Sequence, residues 1–234
     1  YAKIFYPLDK KESVCDFKQV YYLPELEKLL DNVAKEYRQA KKIDKTVKDI
    51  AIIQNEIAIQ LREVRKVEFP EFKQLTVAGF NEEVYQKAKD YIKMLNNYYA
   101  YKFSQTHQKK EDTTAFMLKQ DEKKFYALND DNFNESVSDI VTKAFEKNKI
   151  LKYKNRLVQN IDPIYLDPNP SGILDFRAHF MAPVKKFMGI TFDTYWFNMI
   201  FIWVYTCILF VTLYFESLKR LLNIMNTLKP KSNK

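Results

Sequence analysis

The feature that most constrains this chain is one uncharged segment near its C-terminal end, residues 194–215, with the sequence TYWFNMIFIWVYTCILFVTLYF. It lies between Asp193 and Glu216, and no charged residue interrupts it. As an α-helix it would be about 33 Å long, which matches the roughly 30 Å hydrocarbon layer of a membrane. The alternative is a buried helix of a soluble protein, but no other part of the chain is apolar enough to surround one. The segment therefore predicts a transmembrane helix.

Aromatic and basic residues occur in and beside this predicted span. Tyrosine and tryptophan rings settle at headgroup depth, and lysine and arginine flank the membrane. Two polar side chains inside the span, Asn198 and Thr206, are candidates for packing against neighbouring membrane helices. The residues that we expect to anchor the helix in the membrane are Tyr195, Trp196, Trp203, Tyr214, Lys219 and Arg220.

The charges that follow the span predict its orientation. Residues 216–234 contain five Lys or Arg residues against the single acid Glu216. Because basic residues are enriched on the cytoplasmic side of a membrane, we expect residues 216–234 to form a cytoplasmic basic tail. Residues 1–193 would then lie outside the cytoplasm.

The rest of the chain favours helices exposed to water. Charged residues make up 29% of the chain and only three glycines occur, which disfavours a fold rich in hairpins. We predict a mainly α fold with a long helical hairpin domain over residues 24–160. An aromatic-rich N-terminal segment, residues 1–23, precedes it, and Pro7 is expected to break any early helix there. Residues 161–193 are predicted to be a proline-rich connector with a short interfacial segment.

Two apolar stripes predict the arms of the hairpin. The first arm begins at Pro24, a favourable first-turn residue, and runs with a kink near residues 41–46 to a point before Pro70. The second begins after Asn81, a capping residue, and a shorter helix follows Asn134. The apolar positions are Leu26, Leu30, Val33, Tyr37, Ala40, Ile50, Ile53, Ile57, Leu61 and Val64 in the first arm, and Val84, Ala88, Tyr91, Leu95 and Tyr98 in the second.

The sequence contains no motif for catalysis, for a cofactor or for a metal. It has no glycine-rich phosphate loop, and its two histidines and two cysteines show no metal-binding spacing. The net charge is +8, but acidic and basic residues alternate, which argues against a nucleic-acid partner. His107 lies in a polar stretch and is expected to be solvated. The cluster Asp175, Arg177 and His179, next to the span, is either a hydrogen-bonded structural group or an acid/base site.

Five segments along the chain carry a resemblance to a known family. In order they are VYYLPELEKLL, NESVSDIVTK, DPIYLDP, LDFRAHFMAP and FDTYWFNMIFIWVYTCILFVTLYF. Together they resemble the C-terminal part of large bacterial ABC transporter proteins of the ABCG-like, type-two export class. The resemblance covers nearly the whole chain.

This resemblance implies a place for each part of the chain. Tyr1 would follow the fifth membrane span of such a transporter, residues 1–193 would form its external helical domain, and residues 194–215 would be its last span in the inner membrane. ATP and Mg are implied for the parent transporter, but no ATP-binding motif occurs in this stretch and no catalytic residue carries over.

The resemblance also implies partners. These are membrane lipid, the other transmembrane helices of the same transporter, a second transporter half in a homo- or heterodimer, and a periplasmic protein. The alternative interpretation is a membrane-anchored helical scaffold or tethering protein with no role in transport. A soluble catalytic domain is the least favoured interpretation, because no catalytic site is present.

Overall fold

The computed structural model describes residues 2–39, 44–168, 172 and 174–216 of the chain. The chain divides into two compact units, a helical unit, Tyr1–Leu166, and a C-terminal unit, Asp167–Lys234. Both units contain helix, the only sheets in the described residues are two-stranded, and the fold is mainly α as predicted.

The elements follow one another in this order. The helical unit contains α1 (Ala2–Phe17), a π-helical turn (Lys18–Tyr22), α2 (Leu23–Arg38), α3 (Asp44–Glu63), a 3-10 turn (Pro70–Gln74), α4 (Glu82–Asn132), α5 (Glu135–Thr142), β1 (Ile150–Tyr153), β2 (Arg156–Gln159) and a second 3-10 turn (Pro163–Tyr165). The C-terminal unit contains β3 (Val184–Phe187), β4 (Ile190–Asp193) and α6 (Thr194–Tyr214).

The helix α1, the π turn and α2 form one continuous helical rod over residues 2–38, about 55 Å long at 1.5 Å per residue. The backbone of Tyr22 and Leu23 stays in the right-handed helical region, so α2 does not begin afresh at Pro24. Instead the N–H of Leu23 bonds to the carbonyl of Lys18, five residues back. This wider π turn directly precedes Pro24, which has no backbone N–H and cannot donate a hydrogen bond to the carbonyl four residues earlier.

Pro7 lies inside α1, so the prediction that it breaks any early helix is wrong. Pro7 is the sixth residue of α1, so it removes one hydrogen bond of the helix, the bond to the carbonyl four residues earlier. Its neighbours Phe5 and Leu8 are buried and hold this turn against the rest of the unit. Tertiary packing therefore outweighs the local cost of the proline.

The rod packs antiparallel along α4 and forms the predicted helical hairpin. Near one end of the contact Arg38 pairs with Glu82 at 2.8 Å, and near the other end His107 lies 2.6 Å from Glu12. The first arm is thus the rod of residues 2–38, and not a helix that starts at Pro24.

The helix α3 packs antiparallel against α2. Tyr22, the last residue of the π turn before α2, donates a hydrogen bond to Glu56 in the middle of α3. Glu36, near the end of α2, accepts a hydrogen bond from Thr46 in the first turns of α3. The chain therefore reverses direction between α2 and α3, where the sequence predicted only a kink near residues 41–46. Residues 40–43 lie outside the described part of the chain.

The predicted apolar stripes form the core of the helical unit. Tyr37 is an exception, being 52% exposed, and Ala40 lies outside the described residues. Each fully buried leucine or isoleucine contributes about 1.5–3 kcal/mol relative to an exposed one. The predicted positions that are completely buried are Leu26, Leu30, Val33, Ile53, Ile57, Val84, Ala88, Tyr91 and Leu95.

The helix α4 starts as predicted but is longer. The side chain of Asn81 accepts a hydrogen bond from the N–H of Val84 at 2.9 Å, which confirms its capping role. The helix is interrupted at Asp121, whose φ of −160° is not helical. The carboxylate of Asp121 caps the last part of α4 by accepting from the N–H of Lys124 at 3.0 Å.

Two β-hairpins were not predicted. The turn between β1 and β2 is Lys154–Asn155, with φ of 47° and 55°, and the turn between β3 and β4 is Met188–Gly189, with φ of 51° and 82°. Two consecutive residues with positive φ make a type I′ turn, which matches the twist of the strands. Only one of these four turn residues is a glycine, so the low glycine content did not exclude hairpins.

Candidate functional site

The helix α6 has the length and surface of a membrane span. It contains 21 residues, its most apolar window has a mean hydropathy of 1.9, and none of that window is buried. Asp193 caps its first turn by accepting from the N–H of Tyr195 at 2.9 Å. A soluble helix of this composition would be covered by protein, because exposed apolar surface of this size is rare on soluble proteins. The structure therefore shows one helix that is long and apolar enough to cross a membrane.

The predicted anchor residues lie along α6 as follows. Tyr195 and Trp196 lie in its first turn, Tyr214 is its last residue, and all three are exposed. Trp203 is also exposed but lies near the middle of the helix, about 14 Å from its start at 1.5 Å per residue. Lys219 and Arg220 lie outside the described residues. The role of these side chains as membrane anchors stays a prediction.

The two polar side chains predicted inside the span have partners within the C-terminal unit. Thr206 donates its hydroxyl to the carbonyl of Ile202, one turn earlier, at 2.8 Å. Asn198 accepts a hydrogen bond from the ammonium group of Lys185, on strand β3, at 2.9 Å. The same ammonium lies 5.3 Å from the centre of the Phe197 ring. Lys185 therefore ties the β3–β4 hairpin to the first turns of α6.

An apolar cleft opens between this hairpin and α6. Its volume is about 490 Å³, which lies within the range of small-ligand sites, about 300–1,000 Å³. Every lining side chain is apolar, and five of them are phenylalanines. The lining residues are Leu174, Phe176, Phe187, Phe192, Phe197, Ile200, Phe201 and Val204.

The predicted cluster Asp175, Arg177 and His179 is only partly assembled. The guanidinium of Arg177 donates two hydrogen bonds to the carboxylate of Asp175, both at 2.8 Å, and these bonds raise the pKa of Arg177. His179 is exposed, and its ring has no hydrogen bond or ion pair with any described residue. The Arg177–Asp175 pair fits the structural interpretation, and a role of His179 as an acid or base stays a prediction.

A second polar cluster, which the sequence analysis missed, lies inside the helical unit beside the π turn. Glu56 on α3 is 2% exposed and accepts from the hydroxyl of Tyr22 and from the N–H of Leu157, both at 2.8 Å. Gln60, one turn later, is fully buried and accepts from the hydroxyl of Tyr99 at 2.6 Å. These bonds join the rod, α3, α4 and strand β2 at one point.

Lys18, the first residue of the π turn, borders this cluster. Its ammonium lies 3.5 Å from Glu63 and 4.0 Å from the centre of the Tyr22 ring. Burial lowers the pKa of Lys18, although attraction to Glu63 and Glu56 opposes the shift. Burial also raises the pKa of Tyr22, and the charge of Glu56 adds to this effect. These hydrogen bonds supply partners for the buried polar groups of Tyr22, Glu56 and Gln60.

His107 is not merely solvated, as was predicted. Its two ring nitrogens lie 2.6 Å from Glu12 on α1 and 3.3 Å from Glu111 on α4. Lys110 adds bridges to Asp9 at 2.7 Å and to Glu12 at 2.9 Å. Ion pairs among these residues therefore connect α1 to α4 at the end of their contact.

Within the described residues, no group of three or more His, Cys, Asp or Glu side chains could hold a metal ion. Comparison of the chain with protein families, with curated proteins and with solved structures finds no match.

Proposed function

We propose that this chain is part of the permease region of an ATP-driven exporter in the inner membrane. In this proposal α6 is a membrane span and the helical unit lies outside the cytoplasm. The observation that carries the membrane part is the exposure of α6, whose 21 residues include no charged side chain and whose most apolar stretch of 18 residues is not buried. The exporter part is supported by the family resemblance of the five sequence segments described above.

In this proposal the chain packs against other parts of the transporter and takes no direct part in ATP hydrolysis. Nucleotide binding closes the cytoplasmic domains of such a transporter and moves its membrane helices, and α6 follows as one member of the bundle. The sequence holds no phosphate loop, so in this proposal ATP and Mg would be bound elsewhere in the transporter.

A second candidate function is a membrane-anchored helical scaffold. The observation that favours it is the long exposed part of α4, where Tyr101, Phe116 and Tyr126 are each more than half exposed. An exposed helix with aromatic side chains is a surface on which a protein partner docks. Transport is not needed for this role.

Photoaffinity labelling with 8-azido-ATP distinguishes the two candidates. The full-length gene product is purified in detergent together with the subunits that remain bound to it. An exporter predicts magnesium-dependent labelling, competed by ATP, of this polypeptide or of a subunit that co-purifies with it. A preparation that integrates into membranes but shows no competed label would contradict the exporter and leave the scaffold.

A further inference from the structure

The apolar cleft beside α6 ends at a charged rim. Lys185 supplies the charge, and of its three N–H donors one bonds to Asn198 while no other described residue accepts from it. The carboxylate of Asp175 is already held by Arg177, and that of Asp193 caps α6. The ammonium group of Lys185 therefore has N–H donors without an acceptor among the described residues, at the edge of a cleft that is lined only by apolar side chains.

The inner end of the cleft lies about half-way along the predicted span. Its α6 lining runs from Phe197 to Val204. Val204 lies ten residues after Thr194, so the cleft reaches about 15 Å into the span, half of the roughly 30 Å hydrocarbon layer. Asn198 and Lys185 meet near the start of the helix, at the depth where lipid headgroups begin.

We propose that this cleft binds one anionic phospholipid, with an acyl chain against the phenylalanine rings and the headgroup phosphate on Lys185. The apolar lining excludes a polar ligand from the cleft, and the ammonium at its rim selects a negative charge over a neutral one. This inference rests on the proposed membrane span. It adds to that proposal a ligand class and a site.

The test compares a lipid that has an anionic headgroup with one that has a zwitterionic headgroup. The full-length protein, purified in detergent, is mixed with phosphatidylglycerol or with phosphatidylcholine of identical acyl chains, and the retained lipid is counted by native mass spectrometry. We expect phosphatidylglycerol to be retained roughly fivefold better, the effect of one lysine near an anionic surface. Equal retention of the two lipids, or retention of neither, would overturn the inference.

The headgroup contact is tested on strand β3. Lys185→Ala should abolish the preference for phosphatidylglycerol, and Lys185→Arg should restore it. Lys186→Ala is the matched control, because neighbouring strand residues point to opposite faces, and it should leave the preference unchanged. If Lys186→Ala lowered the preference as much as Lys185→Ala, the binding would be general surface attraction and the site would be refuted.

The acyl contact is tested on α6. Val204→Trp should fill the cleft and lower the retention of both lipids severalfold. Val211→Trp, seven residues later on nearly the same face and outside the cleft, should change neither. Unchanged retention in Val204→Trp would show that the cleft holds no lipid or is covered by another helix, and would overturn the inference.

Carbonate extraction of membranes separates this inference from the proposed function. Wild-type protein that is released by alkaline carbonate refutes the span, and the lipid site falls with it. Protein that stays in the membrane while the lipid tests fail refutes the lipid site alone.

Discussion

At the scale of single residues, Glu56 links segments of the helical unit that are far apart in the sequence. It is 2% exposed and accepts hydrogen bonds from Tyr22 and from the backbone of Leu157. Arg156 lies 3.5 Å away and balances its charge. A buried carboxylate is tolerated only with such partners, because a buried charge without them is costly.

Glu56→Ala should therefore strongly destabilise the helical unit. The hydroxyl of Tyr22 and the N–H of Leu157 lose their acceptor, and we expect the free energy of unfolding to fall by about 3 kcal/mol. Urea denaturation followed by circular dichroism at 222 nm measures this loss. The control is Glu68→Ala, at an exposed loop residue without a hydrogen bond to any described residue, which should change the free energy by less than about 0.5 kcal/mol. Similar midpoints for the two variants would contradict the assigned role of Glu56.

The pair His107–Glu12 should make the contact between α1 and α4 depend on pH. The hydrogen bond to Glu12 raises the pKa of His107 above its usual value of 6.5. Because the folded-state pKa is the higher one, the stabilisation is fully present below about pH 6.5 and is lost as the pH rises through the raised pKa.

An NMR titration of the His107 ring checks this expectation. Glu12→Gln should move the pKa of His107 down towards its usual value, because the charge that favours the imidazolium is removed. Glu122→Gln, an exposed residue on the same helix, is the control and should leave the titration unchanged. A His107 pKa that does not respond to Glu12→Gln would show that the pair is not formed in solution.

At the scale of elements, the helices were largely predictable from the sequence, but the connections between them were not. The stripes of Leu26, Leu30 and Ile57 follow the helical period, so the sequence alone indicated which faces are buried. The continuity of the rod through Pro24 was not predictable, because it depends on the π turn that the surrounding contacts stabilise. The β1–β2 hairpin was missed because Lys154 and Asn155 adopt positive φ without the usual glycine.

The exposed apolar surface of α6 predicts its response to a charge. Ile202, near the middle of α6, is 63% exposed, and Ile202→Arg should impair membrane integration, since arginine at the centre of a span costs about 2.5–3.5 kcal/mol. Leu213→Arg is the matched control, because near the helix end the guanidinium reaches the headgroup region. Resistance to carbonate extraction measures integration in both variants. Equal integration of the two would count against α6 lying in lipid.

At the scale of the whole molecule, the sequence predicted the apolar helix α6 better than it predicted the candidate site beside it. A long apolar stretch is a property of consecutive residues, and Thr194 to Tyr214 forms one helix as expected. The cleft requires Phe176, Phe187 and Phe192 to meet α6, and this contact depends on how the β3–β4 hairpin folds back on α6 and not on a repeating pattern in the sequence. In the sequence, the pattern that points to these residues is a pair of aromatic side chains on either side of the Met188–Gly189 turn. This pattern indicates a β-hairpin and does not predict the apolar cleft.

The central claim is that α6 crosses the membrane and separates the helical unit from the C-terminal tail. Cysteine accessibility in cells with a sealed cytoplasmic membrane tests it most directly, after the native Cys15 and Cys207 are replaced by serine. Lys109→Cys, at an exposed position on α4, should react with a membrane-impermeant maleimide from outside, whereas Lys219→Cys should react only after the membrane is permeabilised. Reaction of both cysteines from the same side would contradict a single crossing by α6, and reaction of Lys109→Cys only after permeabilisation would contradict the proposed orientation.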